Sequence, residues 1–129
     1  EVPMWLNAFD VYVAVSRLDS ESFGVAVLEA SACELPVVVS DAGGLPEVVA
    51  HGRTGLVVPR EDMESLAEAL SQLRSNPALR RELGRAGRER VLAHYRWSHC
   101  IDRMLEVCLA TAASFPGPSP QAAAQRPVE

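Results

Sequence analysis

The sequence predicts an α/β fold in which a partial doubly wound parallel sheet is followed by helices. Three short apolar segments, residues 11–15, 37–40 and 56–58, have the length and the valine-rich composition of buried strands. Helical or glycine-rich segments separate them, and this alternation is typical of a parallel sheet with helices on its faces. Such sheets bind ligands beyond the carboxyl ends of their strands, so we expect a site at that edge.

The first two strands are each preceded by a predicted helix. Residues 3–9 form a short one, because Pro3 suits the first helical turn. The strand over residues 11–15 is apolar at almost every position, which predicts burial on both of its faces. A mostly apolar helix is then expected over residues 24–33, and Pro36 separates it from the second strand.

The second half of the chain is predicted to be helical after the third strand. A glycine turn at Gly43-Gly44 leads into a short helix over residues 45–49. Asp62 is the expected N-cap of a helix over residues 63–74. Asn76-Pro77 is a strong start for a helix that reaches about His94.

The last predicted helix begins at Trp97 and ends near Ala110, with Ile101, Met104, Leu105 and Cys108 on one face. From Thr111 onward the Pro- and Ala-rich sequence has no periodicity, which is typical of disorder. We therefore expect one folded domain over residues 1–110 and a disordered tail over residues 111–129.

Composition excludes several classes of protein. The formal net charge of −5 argues against nucleic-acid binding through bulk charge. The three cysteines form no C-x-x-C pair, which fits a reducing cytoplasm better than a disulfide framework. No apolar run reaches the ~18 residues of a membrane span, and no signal peptide is visible. Because the sequence begins without an initiator Met, we expect a fragment of a longer protein.

Residues 21–30 combine features that a plain scaffold helix lacks. Gly24 begins the predicted helix, so the N–H groups of residues 24–27 lack intrahelical partners and favour an anion such as phosphate. Glu29 lies four residues after Val25 and shares its helix face. A carboxylate in a buried apolar helix is costly without a partner, so we expect Glu29 to face a polar ligand.

Glu21 precedes this helix in a polar loop and can accept hydrogen bonds from hydroxyl groups. Two carboxylates around an anion pocket would repel a bare phosphate, but they suit a diphosphate with diols on both sides, as in a nucleotide sugar. Spacing alone leaves other interpretations open. In these interpretations Glu21 is only an exposed charge in a loop, and Glu29 is a solvated residue of a partly exposed helix. Gly43-Gly44 then serves only to form a turn.

Two further patterns are interpreted conservatively. The triplet Asp19-Ser20-Glu21 resembles a short acidic metal motif, but such triplets are common, and no metal site is predicted. A group of arginines alternates with acidic residues, which favours a solvated helix face over a phosphate-binding patch. These arginines are Arg80, Arg81, Arg85, Arg88, Arg90 and Arg96.

An ordered set of motifs is more specific than the spacing of single residues. Glu21 and Glu29 form an E-x7-E pair, and Phe23-Gly24 lies inside it. Residues 28–33 (LEASAC), 35–38 (LPVV), 43–47 (GGLPE) and 52–59 (GRTGLVVP) follow in order. In this set the chain resembles the carboxyl-terminal half of a family 4 (group 1) glycosyltransferase of the GT-B type. The helices to about Leu109 are similar as well, so the resemblance covers most of the chain except the tail.

The resemblance implies a retaining transferase that moves a sugar from a nucleotide-diphosphate donor to an acceptor, with no cofactor besides the donor substrate. The first domain would be the Rossmann-like donor-binding domain. Glu21 is the implied catalytic residue, which contacts the donor sugar and stabilises the reacting centre. Backbone N–H groups of residues 23–25 would bind sugar or phosphate oxygens, and Glu29 the ribose hydroxyls. The implied donor-binding residues are Glu21, Ser22, Phe23, Gly24, Val25 and Glu29.

The chain departs from the family's pattern at two positions. Ser22 stands where Gly is often found, and its side chain would reshape the sugar pocket slightly. Glu34 replaces a frequent glycine at a helix end where a left-handed conformation favours Gly. The substitution at Glu34 bears on the local geometry of the helix end rather than on the activity.

The resemblance also implies what lies elsewhere. The family's basic pair for the donor diphosphate and its amino-terminal acceptor domain would lie upstream of Glu1, so we expect the chain alone to be inactive. Its partners would be the nucleotide-sugar donor and that missing domain, onto which the helix from Trp97 would pack. The expected location is the cytoplasm, at the inner face of the membrane if the missing domain associates with it peripherally.

Three alternatives remain, and the first is another GT-B relative, either a nucleotide-sugar epimerase or a phosphorylase. A nucleotide-sugar epimerase would lack the Glu21/Glu29 pair, and a phosphorylase would need a lysine for pyridoxal phosphate, for which the chain has no convincing segment. A receiver module would need an acidic cluster with a phospho-acceptor Asp at a strand end, whereas Asp41 stands alone there. The third alternative is a truncated, non-catalytic fragment that binds donor weakly or only packs against a partner.

Overall fold

The computed structural model describes residues 2–17 and 24–114 of the chain. These residues divide into two compact units, one that ends at His94 and one that begins at Tyr95. The first unit holds the sheet and five helices, and the second consists of one helix.

The sheet has three parallel strands, β1 (Tyr12–Ala14), β2 (Val37–Ser40) and β3 (Leu56–Val58), in the order β1-β2-β3. Val38 of β2 pairs with Val13 on one side and with Leu56 on the other. The helices are α1 (Val2–Leu6), α2 (Val25–Ala32), α3 (Leu45–Val48), α4 (Met63–Ser75), α5 (Pro77–His94) and α6 (Trp97–Ser114).

Successive residues of β2 face opposite sides of the sheet, and each side has its own core. Val37 and Val39 pack in one cluster with residues of α1, α2 and α3. Val38 packs in the other cluster with residues of α4 and α5, among them Leu73 and Leu83. Helices therefore cover both faces of a parallel sheet, and the predicted doubly wound α/β fold is confirmed.

The prediction that the first strand is buried on both faces is wrong. β1 lies at an edge of the described sheet, and Val13 is 40% exposed. Val15, which follows the strand, is also exposed. Apolar composition fits a strand at either a central or an edge position, because the composition does not reveal which neighbours a strand acquires.

The caps of α4 and α5 follow the sequence prediction. The carboxylate of Asp62 accepts hydrogen bonds from the N–H groups of Glu64 and Ser65, at 3.1 and 3.0 Å. The side chain of Asn76 accepts one from the N–H group of Leu79 at 3.0 Å. Both side chains satisfy amides that the helix itself leaves without partners.

The Asp62 cap predicts a pH-dependent stability. The hydroxyl of Ser65 donates to the carboxylate at 2.7 Å, and this bond, with those from the Ser65 and Glu64 amides, lowers the pKa of Asp62 below its ordinary value of 3.8. A depressed folded-state pKa stabilises the protein above that ordinary value, and the stabilisation is lost as the pH falls through the folded pKa. Asp62→Asn keeps a cap but removes the titrating group.

Thermal melts of the wild type and Asp62→Asn, recorded from pH 7 to pH 2, test this expectation. The difference in melting temperature between the two proteins should shrink as the pH falls below 3.8. Parallel curves over the whole range would show that the carboxylate charge contributes no pH-dependent stability.

Helix α5 contacts α2 through glycine. A Cβ atom on Gly84 would overlap the carbonyl group of Glu34 in the turn after α2, so the backbone of α5 approaches that turn more closely than any larger residue permits. Glu34 itself has φ 61°, which confirms the left-handed conformation expected at the end of α2 even though no glycine is present.

Three arginines of α5 bind the carboxyl ends of three other helices, which the sequence prediction of a solvated face missed. Arg80 donates to the carbonyl of Leu73 in α4 at 2.6 Å. Arg88 donates to that of Ala32 in α2 at 2.6 Å, and Arg90 to that of Val48 in α3 at 3.0 Å. Cations are favoured at helix carboxyl ends, where carbonyl groups lack intrahelical partners.

The second unit contains α6, which has no buried residue. It continues to Ser114, four residues beyond the predicted end at Ala110, because the Ala residues there favour helix. Residues 115–129, in the predicted tail, lie outside the described residues. Among the described residues, no helix combines the length and the hydropathy that crossing a membrane requires.

Candidate functional site

Helix α2 begins at a glycine that the backbone requires. Gly24, its N-cap, has φ 70°, in the left-handed region that side chains disfavour. It is buried, and a Cβ there would lie 2.7 Å from Cδ2 of Leu45 in α3. Conformation and packing therefore both select glycine, which fixes the direction in which the first amides of α2 point.

Two backbone N–H groups in the first turn of α2 make no hydrogen bond within the helix. The N–H groups of Val27 and Leu28 donate to the carbonyl of Gly24 at 2.9 and 3.2 Å. The Val27 amide is therefore used within the helix, which corrects the prediction that it would be available to an anion. Val25 and Ala26 keep amides without intrahelical partners, and a glycine N-cap offers them no side-chain acceptor.

Glu29 is exposed, so the prediction that its carboxylate is buried is wrong. Helix α2 buries Val27 and Ala30 towards the sheet, while Val25, 61% exposed, lies with the exposed Glu29 away from it. An exposed carboxylate needs no partner within the chain, so the burial argument for a ligand no longer applies. The same exposure leaves Glu29 accessible to a ligand at the start of the helix.

The structure places part of the predicted site and leaves part undescribed. Gly24 is the N-cap of α2, and Val25 and Glu29 lie within the helix, as the sequence predicts. Glu21, Ser22 and Phe23, together with the preceding residues 18–20, lie outside the described residues. Within residues 2–17 and 24–114, no group of three or more His, Cys, Asp or Glu side chains is arranged to hold a metal ion.

A cavity of about 480 Å³ lies at the carboxyl ends of the strands, the edge at which the sequence predicts a site. Gly24, Val25 and Glu29 are not among its lining residues. Its described lining consists of Val15, Ser16, Arg17, Ser40, Val58, Pro59, Glu61, Asp62, Met63 and Leu66.

Polar side chains link the three loops that leave this edge. Ser40 at the end of β2 exchanges two hydrogen bonds with the backbone of Ser16, each of 2.9 Å. Asp41 accepts from the N–H group of Arg60 at 2.8 Å and from its guanidinium at 3.3 Å.

A third link is an ion pair between Arg17 and Glu61 at 2.8 Å, but both side chains are largely exposed, so it contributes little. The sequence patterns did not identify Ser40, Asp41 or Arg60 as residues that link these loops. The feature that could have indicated such a link is the polar pair Ser40-Asp41, which directly follows the three valines of β2.

The sequence matches a known protein family over most of its length. The sequence model of the family described as "Glycosyl transferases group 1" matches residues 1–90. An alpha-maltose-1-phosphate synthase of Mycolicibacterium smegmatis is 45% identical over 108 residues, which cover 79% of this chain and 27% of that protein. A GDP-mannose-dependent alpha-(1-6)-phosphatidylinositol monomannoside mannosyltransferase of the same organism is 41% identical over 112 residues, 83% of this chain and 29% of that protein.

A solved structure shows the same fold. The sucrose-phosphate synthase of Thermosynechococcus elongatus superposes with a TM-score of 0.74 at 35% identity, over 86% of this chain and 27% of that one. The chain thus spans between a quarter and a third of the length of these relatives.

Proposed function

Because this chain belongs to the group 1 glycosyltransferase family, we propose that it forms the donor-binding half of a retaining GT-B enzyme. The enzyme would transfer a sugar from a nucleotide-diphosphate sugar to an acceptor. One relative is GDP-mannose-dependent by name, which supports a nucleotide-diphosphate donor here. No cofactor or metal ion besides the donor substrate is part of the proposal.

The observation that carries the proposal is the solvent-accessible start of α2. The amides of Val25 and Ala26 precede the first intrahelical hydrogen bond, and the Glu29 carboxylate lies on the Val25 side of the helix. Amides at a helix start favour a diphosphate, since the helix dipole adds partial positive charge there. A carboxylate one turn along the helix suits the hydroxyl pair of a ribose, which donates hydrogen bonds to it.

Each donor-binding residue then has a separate task. Glu21 would be the catalytic residue, which orients the donor sugar through its hydroxyls and stabilises positive charge at the reacting carbon. Backbone N–H groups of residues 23–25, with the neighbouring Ser22 side chain, would hold sugar and phosphate oxygens. As the sugar–oxygen bond breaks, these amides stabilise the negative charge that develops on the leaving diphosphate.

The acceptor would bind to an amino-terminal domain of the complete enzyme, and a basic pair elsewhere in that enzyme would supply cations for the diphosphate. The unburied apolar side chains of α6, such as Ile101, Met104 and Leu105, support packing of this helix against such a domain. The chain alone would then bind donor without transferring sugar. We propose that the enzyme acts in the cytoplasm, at the inner face of the membrane where the amino-terminal domain associates with it.

Replacing Glu29 by Ala is expected to weaken donor binding. The loss of charged hydrogen bonds to two ribose hydroxyls should raise Kd about tenfold to a hundredfold. Calorimetric titration of the complete enzyme with guanosine, uridine and adenosine diphosphate sugars first identifies the donor, and the variant is then titrated with it.

Glu68→Ala is the matched control for this titration, because it removes an exposed acid from α4 and changes the net charge equally. Its donor affinity should equal that of the wild type. Equal affinity of Glu29→Ala and Glu68→Ala would reject the ribose role of Glu29.

A further inference from the structure

We propose that Leu45 is a positioning residue for the diphosphate site at the start of α2. This inference rests on the proposed function, because it assigns Leu45 a task in directing the Val25 amide at the donor diphosphate. Leu45 does not touch the donor in this proposal. It acts through Gly24, the residue directly before Val25.

The direction of the Val25 amide is set by the peptide unit that joins Gly24 to Val25. The carbonyl of Gly24 in this unit accepts hydrogen bonds from the N–H groups of Val27 and Leu28, at 2.9 and 3.2 Å, so it points into the helix. The C=O and N–H groups of a planar trans peptide point in opposite directions. The Val25 N–H group therefore points away from the helix, towards the position proposed for the diphosphate.

The conformation of Gly24 needs a restraint from outside the local chain. Gly24 has φ 70° and ψ 46°, and glycine also populates many other backbone conformations. A Cβ atom on Gly24 would lie only 2.7 Å from Cδ2 of Leu45, so the leucine side chain fills the space beside the glycine Cα. The helix hydrogen bonds thus restrain the carbonyl of Gly24, and the packing of Leu45 restrains its Cα.

Leu45 is itself fixed in position. It is 1% exposed and packs in the core cluster that includes Val39 of β2. At the other end of α3, Arg90 donates to the carbonyls of Val48 and Glu47 at 3.0 and 2.9 Å. Core packing holds the first residue of α3 and Arg90 holds the last turn, so Leu45 contacts Gly24 from a fixed position.

Leu45→Val tests this role, because valine lacks the Cδ2 atom that lies beside Gly24. The Kd of a nucleoside diphosphate for the complete enzyme should rise about threefold to tenfold, since a misdirected amide keeps only part of a hydrogen bond to a charged group. The probe is whichever of GDP, UDP and ADP binds the wild type most tightly. Leu45→Met conserves the volume of the side chain, and its Kd should stay within about twofold of the wild type.

Leu73→Val is the matched control for a merely structural effect. Leu73 is also fully buried, but it lies in α4, in the core cluster on the other face of the sheet. This variant should lose stability as Leu45→Val does and keep the wild-type Kd. In the ligand-free enzyme, the amide chemical shifts of Val25 and Ala26 should move in Leu45→Val and not in Leu73→Val.

A double-mutant cycle tests whether Leu45 acts through Gly24. Gly24→Ala should weaken binding less in the Leu45→Val background than in the wild type, because the Cδ2 atom that the new Cβ would meet is absent. Equal costs in the two backgrounds, an equal rise in Kd from Leu73→Val, or unmoved amide shifts in Leu45→Val would overturn the inference. Moved shifts with an unchanged Kd would instead reject the diphosphate site of the proposed function.

Discussion

Replacing Glu21 by Gln is expected to lower kcat of the complete enzyme by about a hundredfold to a thousandfold. The carboxylate stabilises charge that develops only in the transition state, so its loss should appear in kcat more than in donor affinity. Gln keeps the size and hydrogen-bonding capacity of the side chain and removes its charge. The measurement is steady-state turnover at saturating donor, with Kd from calorimetry.

Asp19→Asn is the matched control for this variant, because it removes a charge from the same loop two residues earlier. It also tests the rejected metal motif at residues 19–21. We expect turnover within about twofold of the wild type, because Asp19 has no role in the proposed reaction. Unchanged turnover of Glu21→Gln, or an equal loss in Asp19→Asn, would contradict the assignment of Glu21.

Replacing Gly84 by Ala is expected to destabilise the first unit by about 3 kcal/mol or more, at the upper end of overpacking costs. The added Cβ would overlap the carbonyl group of Glu34, which is backbone and lies at the end of α2. A backbone group cannot swing aside as a flexible side chain would, so the overlap has to shift α5 or the turn that follows α2. Urea unfolding should show a lower midpoint with an unchanged slope.

Gly87→Ala is the control one turn away in the same helix. A Cβ there would lie 3.4 Å from Cβ of Ser31 and from the carbonyl oxygen of Thr54, which is close to ordinary contact. The gain in helix propensity, about 1 kcal/mol, should offset the tighter packing and leave stability nearly unchanged. A neutral Gly84→Ala, or equal losses from both substitutions, would contradict the close contact between α2 and α5.

The sequence was sufficient to predict the elements whose signals are local. Asp62 and Asn76 are capping residues whose side chains act within three positions, and both helices begin where predicted. Gly24 marks a change of backbone direction, and its φ of 70° requires glycine. The alternation of valine-rich and helical segments predicted the parallel α/β fold.

Features that depend on the assembled sheet were not predictable in this way. The exposure of Val13 depends on β1 lying at an edge, and that of Glu29 on which face of α2 meets the sheet. Helix α2 is apolar on nearly every side, so its sequence does not identify the buried face.

Long-range contacts were missed for a related reason. Arg88 bonds Ala32 across 56 residues, and Ser40 bonds Ser16 across 24. Many surface helices have alternating charges, and many strands end in a serine that faces solvent. Neither pattern therefore indicates a hydrogen-bond partner by itself. The tertiary fold brings each pair together.

If the start of α2 binds the donor diphosphate, amide chemical-shift mapping should locate the ligand there. The chain, labelled with nitrogen-15, is titrated with the nucleoside diphosphate of the donor. The largest shifts should occur at the amides of Val25 and Ala26, with smaller ones near Glu29. Shifts confined to the cavity lined by Glu61 and Met63, with none at Val25 and Ala26, would show that the start of α2 does not bind the diphosphate.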